Sequence, residues 1–189
     1  MKPADYSTSI SSQNKNLNRY TNVEPYDRTL VKVSHVNYIN ASYVMNGKFI
    51  ATQDPWPNQD DDLWQLIWEH NVRIIVRLSN DNKHPTAHYI RDDIGGEWVM
   101  GHDEIVVSVK DIQRHASFQK RTITVTKDAH SRVIDHFHMT NWPEGSVPSP
   151  DDLYQLVTTA RNSHKKHNDG NEGNQPSPYP SHIARIPQL

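Results

Sequence analysis

The sequence predicts a single α/β domain in which helices flank a twisted, mixed β-sheet. Two segments with apolar residues at helical spacing predict the helices, and a short β-branched run directly after the first of them predicts a buried strand. Three further β-branched runs predict a group of antiparallel strands. The length of 189 residues suits one domain of this kind.

The first predicted helix lies in "NQDDDLWQLIWEHN", residues 58–71. Asn58 is a candidate N-cap, and the three aspartates that follow suit the positive end of a helix dipole. The apolar face of this helix consists of Leu63, Trp64, Leu66, Ile67 and Trp68. The segment leads directly into "VRIIVRLS", residues 72–79, whose β-branched residues predict a buried strand.

The three later strands are predicted in "EIVVSVKDI" (104–112), "KRTITVTK" (120–127) and "RVIDHFHM" (132–139). Each run is rich in Val, Ile or Thr, and turn-prone stretches separate them. Because short connections join antiparallel neighbours, we expect these strands to pair with one another.

The second helix is predicted to begin after Ser149, which is a candidate N-cap followed by Pro150 at the first helical position. Asp152 lies three residues after the cap, as in a capping box. The inward stripe of this helix is predicted to consist of Leu153, Leu156, Val157 and Ala160. The basic residues up to Lys166 suit a helix C-terminus.

The two ends of the chain differ in composition from its middle. Residues 1–16 are polar and show no apolar periodicity, which predicts a disordered N-terminal arm. Residues 167–189 are dense in Gly, Asn and Pro, which predicts a disordered or draped tail. The ordered domain is therefore expected to span residues 17–166.

Charge and composition exclude several classes of function. The formal net charge is -2, so no basic field favours nucleic acid or a membrane surface as partner. No run is long enough to span a bilayer and no secretory signal is visible, which predicts a cytoplasmic protein. The chain contains no cysteine. This removes disulfides, thiolate metal sites and any cysteine nucleophile.

Two histidines of one strand, His136 and His138, point to the same side and are candidate metal ligands. No third ligand accompanies them at convincing spacing, so packing and hydrogen bonding are the more frequent roles for such residues. We therefore expect no metal and no other cofactor.

Four stretches in one order resemble the classical protein tyrosine phosphatase family. They are "NRYTNVEPYD" (18–27), "NYINASYV" (37–44), "FIATQDPWPNQDDDLWQLIWE" (49–69) and "FHMTNWPEGSVP" (137–148). The family motifs KNRYxNVxxYD, DYINASYI, FIATQGPxxxTxxDFWxMIWE and FHxxxWPDxGVP run in the same order at similar separations. Small, incomplete chains of this style also resemble the multigene phosphatase family of viruses of parasitoid wasps.

The resemblance implies roles for three residues. Tyr20 would stack on a phosphotyrosine ring, Asn22 would hold the substrate backbone, and Glu144 stands where the family has its general acid Asp. From the residues alone, Tyr20 can also pack with its hydroxyl in water, although the matching residues around it favour the family role. Glu144 can be a solvated side chain of a strand-to-helix loop. Asp54 occupies a position that is Gly in the family, and Asp tolerates a positive φ only at some cost.

The family chemistry also needs a cysteine thiolate in the motif HCSAGxGRTG, whose amides and Arg bind the phosphate. Neither the nucleophile nor this phosphate-binding loop is found in the sequence. The resemblance therefore implies an incomplete fold that lacks the C-terminal part of the sheet and its covering helices. It predicts a catalytically inactive phosphatase-like protein that acts, if at all, as a binding or decoy module toward a phosphotyrosine protein or another protein.

Two alternatives remain open. One is an active protein-tyrosine-phosphatase, which similarity would assign and which would need a nucleophile from elsewhere. The other is a degenerate product without a selected function. A viral origin would place the protein in the cytoplasm of a host cell.

Overall fold

The computed structural model describes residues 6–78, 89–142, 147–169 and 183–187, the last five and residues 168–169 by their backbone. The strands are β1 (Ala41–Val44), β2 (Phe49–Thr52), β3 (Ile74–Leu78), β4 (Glu97–Met100), β5 (Ile105–Arg114), β6 (Phe118–Lys127), β7 (His130–Met139) and β8 (Ile183–Pro187). The helices are α1 (Ser9–Gln13), α2 (Asp60–Glu69) and α3 (Pro150–Asp169). Short 3₁₀ helices lie at Lys15–Leu17 and Asp27–Thr29.

The strands of the described residues form one mixed sheet in the order β1-β2-β8-β3-β7-β6-β5-β4. β2, β8, β3 and β7 are parallel to their neighbours in this central part. The pairs β1 with β2, β4 with β5, β5 with β6 and β6 with β7 are antiparallel. The predicted mixed α/β architecture and the antiparallel group are confirmed.

Helix α2 forms because its apolar face lies against the sheet. Leu63, Trp64, Leu66 and Ile67 are fully buried. The predicted N-cap is wrong by one residue: Gln59 precedes the helix, and its main-chain oxygen accepts a hydrogen bond from Leu63 N at 3.1 Å. Asn71, just beyond the helix, adopts a φ of 50°. This left-handed residue lets the chain turn at once into β3.

Helix α3 begins where the sequence predicts. Ser149 Oγ accepts a hydrogen bond from the main-chain N–H of Asp152 at 3.2 Å, which confirms the serine cap. The Asp152 carboxylate accepts a hydrogen bond from the Asn141 side chain at 3.0 Å, so it ties the loop before the helix to its first turn. The helix continues to Asp169, three residues beyond the predicted end.

The two faces of the sheet carry separate cores. One face packs against α2, with Ile50, Ile75, Ile105 and Ile134 among its buried residues. The other face packs against α3 through a smaller cluster that contains Ile74, Val76, Phe118, Phe137, Met139, Leu156 and Ala160. Of the predicted stripe on α3, Leu156 and Ala160 are buried, whereas Leu153 is 36% exposed. The domain is thus a three-layer arrangement of helix, sheet and helix.

The predicted disorder of residues 1–16 is wrong for the part that the structure describes. The carboxylate of Asp27 accepts hydrogen bonds from Ser7 and Ser9 and from the main-chain N–H of Ile10. Ser11 of α1 is fully buried and bonds the hydroxyl of Tyr38 at 2.9 Å. These are tertiary contacts of polar residues, so apolar periodicity could not reveal them.

The predicted tail contains a strand of the sheet. β8 lies between β2 and β3 and pairs with both in parallel register, with Ile183 opposite Phe49 and Ile74. The sequence predicts no strand in this part of the chain, so β8 is an addition to the predicted sheet. Pro187 is the last residue of the strand. Residues 183–186 contain no other proline, so each of these four residues has a main-chain N–H that can donate to a neighbouring strand.

Candidate functional site

The segment that carries Tyr20 and Asn22 is anchored by a buried amide, Asn18. Its Oδ1 accepts hydrogen bonds from Tyr38 Oη at 2.6 Å and from Asn40 Nδ2 at 2.9 Å. Its Nδ2 donates to Ser11 Oγ at 3.0 Å. Burial raises the pKa of the Tyr38 hydroxyl, which therefore stays protonated and able to donate. Asn18 thus fixes the start of the segment against α1 and the residues that directly precede β1.

Arg19 ties the same segment to residues 53–56. Its main-chain N–H donates to Gln53 Oε1 at 2.8 Å. Its guanidinium donates to the carbonyl oxygens of Asp54 at 3.1 Å and Pro55 at 2.7 Å and lies 4.5 Å from the ring centroid of Trp56. Four contacts from one residue hold the neighbouring Tyr20 in a fixed place relative to the end of β2.

Tyr20 is half-buried and Asn22 is exposed. Tyr20 lines a surface cavity of about 160 Å³ whose other lining residues are Val23, Glu24, Pro25, Asn40, Ser42, Ala51, Thr52 and Gln53. No hydrogen bond joins the Tyr20 hydroxyl to another described residue, so its ring rather than its hydroxyl is used in packing. Tyr20 and Asn22 thus lie two residues apart in a surface segment, and what they bind stays a prediction.

Asp54 forms a buried ion pair with Arg77 of β3. The Nε of Arg77 lies 3.2 and 3.1 Å from the two carboxylate oxygens, and its Nη2 lies 2.9 Å from Oδ2. The side chains of Arg77 and Asp54 are 8% and 15% exposed. Asp54 is not among the residues with positive φ, so it causes no backbone strain at the position where the family has Gly.

Glu144, the predicted general-acid position, lies outside the described residues. The residues on either side of it are described: Trp142 packs against the core under α3, and Val147 is 77% exposed. The loop leads into α3 at Ser149. The structure therefore fixes where the loop starts and ends and leaves the role of Glu144 a prediction.

A buried carboxylate, Asp135 of β7, fixes α3 to the sheet. It contacts Ser163 and His167 of α3, and on the sheet Thr122 Oγ1 at 3.1 Å and Lys120 Nζ at 3.2 Å. Burial by itself would raise the pKa of the Asp135 carboxyl, but the hydrogen bonds from His167 and Ser163 and the charge of Lys120 outweigh it and hold the pKa well below its ordinary range. Asp135 is thus a charged anchor for α3, the helix that follows the loop with Glu144.

His136 takes part in a buried hydrogen-bond network on the other face. Its Nε2 lies 3.1 Å from Tyr89 Oη, and its Nδ1 lies 3.3 Å from Arg121 Nη1. Since Arg121 can only donate, Nδ1 accepts and Nε2 carries the proton. Burial, followed by the charge of Arg121, lowers the pKa of His136 well below its ordinary range. The prediction of a hydrogen-bonding histidine is confirmed.

Within residues 6–78, 89–142, 147–169 and 183–187, no three metal-ligating side chains converge. In the same part of the chain, no helix is both long and apolar enough to cross a bilayer.

Sequence reasoning missed two elements of this site. Sequence reasoning assigned Arg77 no role within its predicted strand, although a charged residue that follows the apolar run "IIV" inside a buried strand signals a buried partner. Arg19 was also without a role, because its acceptors are main-chain carbonyls 35 and 36 residues away. Main-chain acceptors have no sequence signature, so no pattern could have indicated them.

Comparison with known proteins agrees with the motifs. Residues 14–177 match the family described as protein-tyrosine phosphatase. Tyrosine phosphatase H2 of Microplitis demolitor bracovirus is 32% identical over 173 residues, which are 85% of this chain and 52% of that protein. Receptor-type tyrosine-protein phosphatase C of Rattus norvegicus is 35% identical over 153 residues, which are 72% of this chain and 12% of that protein.

Solved structures give the same result. The catalytic domain of human protein tyrosine phosphatase non-receptor type 18 superposes with a TM-score of 0.76 at 26% identity, covering 95% of this chain and 66% of that chain. The same phosphatase has also been solved in complex with HER2 phosphopeptides. This chain thus spans about half the length of its bracovirus relative and about two thirds of the solved domain. With the motif order, the fold and these matches in agreement, the chain belongs to the protein-tyrosine phosphatase family.

Proposed function

We propose that this chain is a catalytically inactive member of the family that acts as a binding or decoy module. The observation that carries the proposal is the absence of cysteine from all 189 residues. Phosphoryl transfer in this family, as the resemblance describes it, starts with attack by a cysteine thiolate, and a serine or carboxylate in its place would need a phosphate cradle around it. The chain offers no thiol.

The residue at the general-acid position, Glu144, supports the same proposal. Glu144 is one methylene longer than the family's Asp, which displaces its proton by about one ångström even in a complete enzyme, and such a displacement costs about 100-fold in rate. Glu144, in the segment between β7 and α3, then has no catalytic role.

The surface next to Tyr20 is the part of the recognition machinery that the chain retains. Asn18 and Arg19 hold Tyr20 and Asn22 in place through buried and half-buried hydrogen bonds. A half-buried ring beside an exposed amide can stack on an aromatic side chain and bind a peptide backbone. The partner we propose is therefore a protein segment that presents a tyrosine or phosphotyrosine. We place this interaction in the cytoplasm. If the chain is viral like its bracovirus relative, the partner belongs to a signalling pathway of the host cell.

Peptide titration tests the binding proposal. A tyrosine peptide and its phosphorylated form are titrated against the wild-type chain, a Tyr20→Ala variant and a Tyr154→Ala control, since Tyr154 is 72% exposed on α3. We expect Tyr20→Ala to weaken binding about 2- to 10-fold, the value of one aromatic contact, and Tyr154→Ala to leave it unchanged. Equal affinities of all three proteins would exclude Tyr20 as a binding residue.

An active protein-tyrosine-phosphatase is the second candidate, because family membership favours that activity. An aryl phosphate assay of the purified chain distinguishes the two. We expect no release of phosphate above a protein-free blank. Turnover that persists through purification and is lost in a Glu144→Gln variant would establish the active alternative.

A further inference from the structure

A cavity of about 230 Å³, the α3 groove, lies between α3 and the parallel part of the sheet. On the sheet side it is lined by Phe49 of β2 and by Val76 and Leu78 of β3. Because β8 lies between these two strands, the groove extends across the main chain of β8. Val76 and Leu78 are two residues apart and share the face of β3 on which α3 packs. None of these residues lines the cavity beside Tyr20, so the two sites are distinct.

The helix side of the α3 groove is a single stripe of α3. Leu153, Leu156, Val157 and Ala160 line the groove at the spacing of one helical face. Leu156 and Ala160 are buried, whereas Leu153 is 36% exposed and Val157 is half-buried. Two of the four apolar side chains predicted to face inward are thus left partly uncovered beside the sheet.

Of the described residues that line the α3 groove, Arg161 alone is charged. Arg161 is exposed, and no hydrogen bond or ion pair joins its guanidinium to another described residue. A cation at the edge of an otherwise apolar cavity favours a ligand with an apolar body and an anionic end. The planar guanidinium matches a carboxylate, to which it can donate two parallel hydrogen bonds.

The size of the α3 groove selects the apolar body of this ligand. An apolar cavity of about 150 Å³ holds benzene, roughly 25 Å³ per carbon, so about 230 Å³ accommodates roughly nine carbons. An α-helix with its side chains is about 10 Å wide and does not fit into this volume, whereas an extended alkyl chain does. We propose that the α3 groove binds a medium-chain carboxylate, with the alkyl chain between α3 and the sheet and the carboxylate at Arg161.

Titration with probes that share one alkyl chain and differ in charge tests the proposal. Octanoate, octan-1-ol and octylammonium are each added to the full chain, and binding is followed by NMR of the Leu and Val methyl groups. We expect octanoate to bind most tightly and to shift the resonances of Leu78, Leu156 and Val157 saturably. Hexanoate, two methylenes shorter, should bind about 15-fold more weakly, since each buried methylene changes the affinity about fourfold.

Reversal of the charge at the edge of the groove tests the role of Arg161. Because Arg161 is exposed, Arg161→Glu should leave the fold intact. It should weaken octanoate binding about 3- to 10-fold, strengthen octylammonium binding and leave octan-1-ol binding unchanged, since a surface ion pair is replaced by repulsion. Lys166→Glu makes the same charge change at an exposed residue of α3 outside the groove and should leave all three affinities unchanged.

Three results would overturn the proposal. They are the absence of saturable shifts at the groove methyl groups, equal affinities of hexanoate and octanoate, and an equal effect of Arg161→Glu and Lys166→Glu on octanoate binding. A groove covered by a second copy of the chain, or by other residues of the same chain, would give the first of these results. Analytical ultracentrifugation then identifies the second copy.

Discussion

Replacement of Asp135 by Asn removes the charge at the contact between α3 and the sheet while keeping the shape of the side chain. Asp135 is 6% exposed and contacts Lys120, Ser163 and His167. Loss of one partner of a buried ion pair costs about 3–5 kcal/mol, and the retained shape favours the lower value. For a chain of this length, a loss of about 3 kcal/mol lowers the Tm by about 6–12 °C.

The effect of Asp135→Asn should also depend on pH, with a definite sign. The pKa of the Asp135 carboxyl is held below its ordinary value of 3.8, so below that pH the unfolded carboxyl binds a proton that the folded one does not. Its contribution is complete at neutral pH and is lost as the pH falls below about 4, by about 1.4 kcal/mol per pH unit. The stability difference between wild type and variant should therefore shrink from pH 6 to pH 3.

Urea unfolding of both proteins at several pH values measures this difference. Burial lowers the pKa of His136, so its contribution to stability is also lost as the pH falls below about 6.5, but this loss is common to both proteins and cancels. Asp111→Asn is the matched control, because Asp111 is exposed on β5. A difference that stays constant from pH 6 to pH 3, or an equal loss in Asp111→Asn, would refute the assignment of Asp135 as a charged anchor.

Three further changes test the structure. Arg19→Ala removes two hydrogen bonds to carbonyl oxygens and a cation–π contact and should cost about 2–4 kcal/mol in unfolding free energy, with Arg28→Ala, an exposed arginine, near zero; equal small losses would contradict its anchoring role. Tyr89→Phe leaves a nitrogen of His136 without its partner and should cost about 1–3 kcal/mol by urea unfolding, and a neutral result would refute this network. Ser149→Ala should cost about 1 kcal/mol, while Ser149→Asp should retain wild-type stability; failure of Asp to substitute would contradict the cap.

The sequence predicts those helices and strands whose formation depends mainly on residues close together in the chain. The face of α2 appears in the sequence at helical spacing, β3 and β5 to β7 appear as β-branched runs, and the start of α3 appears as Ser149 followed by Pro150. These patterns are local because they reflect burial of one side of one element. The family also follows from four motifs in order, which place Tyr20 and Asn22 on one loop.

The ends of the chain were not predictable in the same way. α1 is held by polar contacts of Ser7, Ser9 and Ser11 with Asp27 and Tyr38, which lie 18 to 27 positions away. β8 is a short segment in a Pro-rich context that forms a strand because two parallel neighbours supply its main-chain partners. The composition of a segment indicates only its local conformational preference. Pairing with strands that are distant in sequence can override that preference.

The sequence by itself determined the family, the α/β class and the lack of a cysteine nucleophile. These follow from residue identity, motif order and local periodicity. Only the tertiary structure decided that β8 lies in the centre of the sheet, that Asp135 anchors α3, and that Asp54 forms an ion pair with Arg77. Each of these three features depends on groups that come into contact only after the chain has folded. The partner of a buried charge, or of the main chain of a strand, lies far away in sequence, so local sequence patterns do not identify it.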